Sequence, residues 1–139
     1  MTAIAIGAEI GPVTVTPSRE TLVRYAAASQ DFAPLHYDQG YAESRGFDTV
    51  LVHGMLKAGY LGSLVCDWAG EGTQLRRFYV RYLRPDYPDL PLTCRGVVAG
   101  VDPVDGGALV QLELWIENAQ GQRTVVGTAT VSLGGMETN

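Results

Sequence analysis

Lysine is nearly missing from this chain: Lys57 is the single one among ten basic residues, and cysteine and histidine are down to two each. Cys66 and Cys94 cannot supply the disulfide framework of a small secreted domain, and they match no zinc or CxxC spacing. Both are expected to be small buried hydrophobes in a reducing compartment. Neither histidine sits in an HxxxH or HxH pattern, so no metal ion is expected, although His36, His53, Asp31 and Asp38 offer the ligand types. Residues 1–6 carry no basic segment ahead of their apolar positions, and no apolar run approaches the roughly 18 residues that cross a bilayer. The expectation is a cytoplasmic protein with no membrane partner. Fifteen acidic residues against ten basic give a net charge of −5, which repels a phosphate backbone and makes nucleic acid an unexpected partner.

What is present is a 139-residue chain, 46% hydrophobic, in the size range of one domain spanning residues 1–139. About two-thirds of its unfolded surface can be buried on folding, enough for a core without staples. The hydrophobic period changes once, near residue 72. Before it, residues 12–15 alternate as a short strand, and Thr16 as cap with Pro17 at the first helical position predicts a helix to about Ser29. Asp38 is placed to cap a short helix through Ser44 that stops at Gly46. A third helix, residues 54–68, is apolar on almost every side and is therefore expected to be buried, with Ala58, Gly59, Gly62 and Ser63 admitting a close neighbour. Beyond residue 72 the period is two, predicting strands over residues 76–84, 92–101, 108–118 and 123–133. Turn residues at 102–107 and 118–121 favour hairpins, so the fold class is α+β: an antiparallel sheet with a helix against it. Residues 134–139 are expected to fray.

Chemistry concentrates in two places. Ser29-Gln30-Asp31-Phe32-Ala33-Pro34-Leu35-His36-Tyr37-Asp38 joins two helices, and Pro34 stiffens it, so Asp31 and His36 ride on a held connection. A carboxylate near an imidazole can orient it or share a water with it, which makes an acid/base pair. The same residues also suit a turn-closing Asp and a packing His. The second place is His53-Gly54-Met55, at the start of the third helix, where free backbone N–H groups and the positive dipole end favour an oxyanion. Gly54 leaves that amide open to approach, while His53 fits either a donor to the site or a structural bond at the helix entry.

Tyr25-Ala26-Ala27-Ala28-Ser29-Gln30-Asp31-Phe32-Ala33-Pro34-Leu35-His36, followed by Gly46-Phe47 and Val52-His53-Gly54-Met55, resembles the MaoC-like, or (R)-specific enoyl-CoA hydratase, family of hot-dog-fold proteins. The likeness continues through Val80-Arg81-Tyr82-Leu83-Arg84-Pro85-Asp86-Tyr87-Pro88-Asp89. It implies a curved antiparallel sheet wrapped around the helix that starts at Gly54, usually as a dimer. It also implies that Asp31 and His36 are catalytic, activating water for addition to a trans-2-enoyl thioester. Gly54 becomes the amide that binds the thioester oxygen, with His53 and Met55 as substrate-binding neighbours. No cofactor is implied beyond the substrate's own coenzyme A or phosphopantetheine. Gln30 and Ala33 depart from the family's Gly and Asn, adding bulk beside the acid and removing an amide that would fix the loop.

The function expected is an R-specific hydro-lyase converting the enoyl thioester to its 3-hydroxyacyl thioester, in a homodimer. The alternatives are a hot-dog thioesterase and an acyl-binding subunit of a mixed hydratase complex. Cys66-Asp67-Trp68-Ala69-Gly70 resembles a segment of actinobacterial subunits acting on steroid side-chain thioesters. Arg76, Arg77, Arg81 and Arg84 divide between two strand faces and form no single basic stripe.

Overall fold

The computed structural model describes residues 4–134. Strand β1 (Glu9–Val15) leads to helix α1 (Arg19–Ser29), a single 3-10 turn (Pro34–His36), α2 (Gln39–Ser44) and α3 (Gly54–Ala69). Strands β2 (Thr73–Tyr82), β3 (Leu92–Val104), β4 (Gly107–Glu117) and β5 (Arg123–Gly134) follow. All pairings are antiparallel, in the order β1-β3-β4-β5-β2. Bulges interrupt the register of every pair, and each adds local twist, so the sheet curls. Helix α3 lies in the hollow and touches all five strands. This is the hot-dog arrangement that the resemblance implies.

The alternation read from the strands decides which side faces α3. Leu92, Cys94 and Val98 of β3, Val110, Leu112, Leu114 and Ile116 of β4, and Val125, Ala129, Val131 and Leu133 of β5 are buried against Leu61, Leu64 and Val65 of the helix. Leu61 is wholly enclosed, and truncating it to Ala would cost about 2–5 kcal/mol in lost transfer energy and cavity. A second, smaller apolar cluster, Leu22, Ala42, Val50 and Val52 with Leu35, Phe47 and Leu56 against it, holds the segment between α1 and α3 and uses no strand residue.

Three expectations need correction. Helix α1 starts two residues late because Ser18, not Thr16, is its cap: Ser18 Oγ accepts the Thr21 N–H at 3.1 Å, and the Thr21 hydroxyl accepts the Ser18 N–H at 3.1 Å. The Pro17 carbonyl is engaged by the Asp89 N–H instead, and Leu22 N–H to Ser18 O is the first helical bond. Cys66 is exposed rather than buried, because it lies on the side of α3 turned away from the sheet, whereas Cys94 is buried as expected. Gly59 and Gly62 meet no close neighbour within the described chain, so their small size is not used by the sheet. Asp38 does cap α2, accepting the Tyr41 N–H, and Gly46 follows with φ +89°. The bulge between Leu75 and Arg77 breaks strict alternation, and all four arginines of this stretch are exposed. Gly134 closes β5, and the remainder of the segment expected to fray lies outside the described residues.

Candidate active site

The left-handed backbone of Gln30 (φ 59°, ψ 24°) ends α1 and turns the chain into the loop that carries Asp31. Asp31 Oδ1 accepts the Ala33 N–H at 3.3 Å, so the carboxylate does close its own turn. Its other oxygen, Oδ2, faces His36 Nε2 at 3.7 Å. The two readings of Asp31 are therefore compatible, one oxygen for each. The loop is also tied by main-chain bonds from His36 N–H to Ala33 O at 3.0 Å and from Leu51 N–H to Leu35 O at 2.9 Å.

His36 lies 2.8 Å from the Leu51 carbonyl through Nδ1. A carbonyl only accepts, so Nδ1 carries a proton, and in the neutral tautomer this leaves the lone pair on Nε2, the nitrogen that faces Asp31. At 3.7 Å the carboxylate and Nε2 are too far apart to bond each other and close enough to share one water. His36 is mostly buried, while Asp31 is half open to solvent.

His53 is the N-cap of α3, but its ring does not cap the helix. It lies against His36, 3.7 Å between centroids and 19° between planes, and Nε2–H donates to the Asp31 carbonyl at 3.3 Å. Tyr25 meets its edge at 4.8 Å. Burial lowers the basicity of His53, the neighbouring His36 lowers it further, and the Asp31 contacts oppose this only in part. His53 Nδ1 finds no hydrogen-bond partner among the described residues.

One ligand-type atom from each of Asp31, His36 and His53 lies within 4.8 Å of the others. The two rings are stacked, and His53 Nε2 already donates to a carbonyl. This donor set fits a shared water better than a metal ion's converging ligand sphere.

Gly54, the first residue of α3, has the Tyr82 ring directly against it: a Cβ there would sit 3.1 Å from Tyr82 Cζ. The absent side chain gives the Tyr82 ring room to lie beside the first turn, at the dipole's positive end. Met55 is 65% exposed, with its sulfur 3.7 Å from the Tyr82 hydroxyl that donates to it. Burial and nearby Tyr25 raise the Tyr82 phenol above its ordinary value. Sequence reasoning gave no role to Leu51, Tyr25, Tyr82 or the buried pair Lys57 and Asp86; only the lone lysine in an apolar helix signalled any of them.

The sheet, its enclosed helix and an acid–imidazole pair before the helix's first turn define a hot-dog domain of the hydratase kind. A model of the MaoC like domain family matches residues 3–113, and the chain belongs to that family. Over 41 residues it is 44% identical to an (R)-specific enoyl-CoA hydratase from Aeromonas caviae, a stretch covering 30% of this chain and 31% of that relative. The solved (R)-hydratase from A. caviae involved in PHA biosynthesis superposes with a TM-score of 0.86 at 25% identity, over 96% of this chain and 99% of that one. The ChsH1–ChsH2 complex from Mycobacterium tuberculosis gives a TM-score of 0.85 at 24% identity, over 94% of this chain and 99% of the matched chain. Among the described residues no helix is long and apolar enough to cross a membrane.

Proposed function

We propose that the protein reversibly hydrates a trans-2-enoyl thioester, carried on coenzyme A or an acyl carrier protein, to the (3R)-hydroxyacyl thioester. The observation that carries this reading is the fixed tautomer of His36: Leu51 O holds Nδ1–H, leaving the Nε2 lone pair beside the Asp31 carboxylate. A water held between those two acceptors gives up a proton as its oxygen bonds to C3. The C2–C3 π electrons move toward the thioester carbonyl, whose oxygen gains charge against the Gly54 N–H, and a proton returned to C2 completes the addition. Positioning and charge stabilisation suffice, and every proton is accounted for by the water and the pair.

Loss of the enoyl chromophore, followed with purified wild type, Asp31→Asn and His36→Ala across short, long and polycyclic acyl groups, tests the reading. Each variant is expected to lose roughly 10²- to 10⁴-fold in kcat. Full turnover in both would remove the pair from the mechanism, and release of free thiol without hydration would favour a thioesterase.

A partner is proposed on a separate observation. The edge strand β2 leaves Leu75, Tyr79 and Tyr82 exposed, with Leu83 just beyond its end, a surface suited to a second hot-dog chain. A homodimer is the favoured assembly. The likeness to one chain of the ChsH1–ChsH2 complex supports a mixed pair as the second reading. Solution mass of the purified chain separates them: a monomer that becomes active only with a second hot-dog chain favours the mixed complex.

A further inference from the structure

The single lysine of the chain is buried where a cation is least welcome. Lys57 lies in the first turn of α3, 3% exposed, close to the helix's positive dipole end and among apolar neighbours. An apolar residue of similar volume would avoid the desolvation of two charges, since buried pairs of this kind often stabilise less than a packed hydrophobic pair. Its contacts point to another use. The ammonium donates to Asp86 Oδ2 at 3.0 Å and to the Arg84 carbonyl at 3.2 Å, and it stands 5.8 Å from the centre of the Tyr82 ring. Both hydrogen-bond acceptors and the nearby ring belong to one short segment, residues 82–86.

That segment grips the start of α3 from several sides. The Asp86 carbonyl accepts the Val52 N–H at 2.9 Å, holding the chain just before the helix. The Tyr82 ring rests on Gly54, and its hydroxyl donates to Met55 Sδ at 3.7 Å. The Lys57 N–H donates to the His53 carbonyl at 3.2 Å, closing the turn whose earlier amides, Gly54 among them, have no acceptor within the helix. Asp86 thus fastens residue 52 through its main chain and residue 57 through its side chain, with the free amides between.

We propose that Lys57, acting through Asp86 and Tyr82, is a positioning residue that fixes the first turn of α3 and so aims the Gly54 N–H at the developing oxyanion. The inference deepens the hydratase reading and rests on it. Removing the pair as a unit, Lys57→Met with Asp86→Leu, leaves no unpaired buried charge and is expected to keep the wild-type melting temperature. It lowers kcat roughly 10- to 100-fold, the scale of an ångström-sized misplacement, with KM within about twofold. Tyr82→Leu, at a half-exposed site, is expected to lose kcat in the same way and carries the test if the double variant fails to fold. Amide hydrogen exchange at residue 57 reads the same clamp without substrate, and it is expected to quicken about 10-fold in either variant while the amides of Leu61 to Val65 stay unchanged.

Wild-type kcat and wild-type exchange in a folded double variant, or in Tyr82→Leu where that variant is the one that folds, would overturn the proposal. Inactivity of the wild type toward every enoyl thioester, together with quickened exchange in the variants, would instead sink the hydratase reading and leave the clamp standing as a device of the fold.

Discussion

His53 lies flat against His36, 3.7 Å between ring centres, and the two imidazoles are not equivalent: one directs a free nitrogen toward Asp31, and the other is sealed in. His53 is held below its ordinary value of 6.5, first by burial and then by His36, so it remains neutral in the fold under conditions that protonate it in the unfolded chain. The unfolded state then binds more protons, and stability rises with pH through that window. His53 therefore makes the protein less stable as pH falls below about 6.5, and costs nothing above it. Melting temperatures recorded across pH 5 to 8 are expected to fall on the acid side in the wild type. The slope should be shallower in His53→Gln; equal slopes would show that His53 is not the group responsible.

Gly54→Ala separates folding from chemistry. The added methyl meets the Tyr82 ring at 3.1 Å, and that ring, half open to solvent, can yield by a few tenths of an ångström. At the first position of the helix the propensity gain from alanine is smaller than the interior value of about 0.5–1 kcal/mol, but it has the same sign. The variant is expected to melt no lower than wild type while losing roughly 10²-fold in kcat, because the methyl and the shifted ring crowd the amide. A variant as active as wild type would show that the oxyanion lies elsewhere.

Gln30 occupies a left-handed conformation, φ 59°, that costs a residue with a side chain about 1–2 kcal/mol relative to helical backbone. Gln30→Gly removes that strain and gives back part of the gain as unfolded-state entropy, leaving a net of about 0.5–1 kcal/mol. A rise of about 2–4 °C in melting temperature is the expected reading by calorimetry. An unchanged or lower value would mean that the Gln30 side chain contributes contacts of its own.

The two cysteines should differ in reactivity. Burial pushes the Cys94 thiol up to about 11, while Cys66 is exposed on α3. An aromatic disulfide reagent at pH 8 is expected to label one thiol in the native protein and two after denaturation. Rapid labelling of Cys94 in the folded state would contradict its burial.

Much of this architecture is local in origin and therefore readable. The switch to alternation after residue 72 marks β2 to β5 within a few residues, and Asp38 and Gly46 bracket α2 because capping is a short-range matter. Asp31 and His36 stand out for the same reason, five positions apart on one stiff loop. The start of α1 is less legible because Thr16-Pro17 and Ser18-x-x-Thr21 both carry a helix-start pattern, and the Asp89 N–H on the Pro17 carbonyl, a contact from far along the chain, accompanies the second. Leu51, Tyr82 and Asp86 were silent for a related reason. Leu51 acts through its carbonyl, which every residue has, and Lys57 finds Asp86 only after the helix and β2 have been laid side by side.

The small apolar cluster that carries Asp31, His36 and the approach to Gly54 shares no residue with the sheet, and this sets an order of failure on heating. The smaller cluster has fewer buried side chains than the five-stranded body, so the segment between α1 and α3 is expected to come loose at a lower temperature. The proposed activity is then expected to fade while the sheet and α3 still hold their shape, and to return on cooling without any need to refold the whole chain.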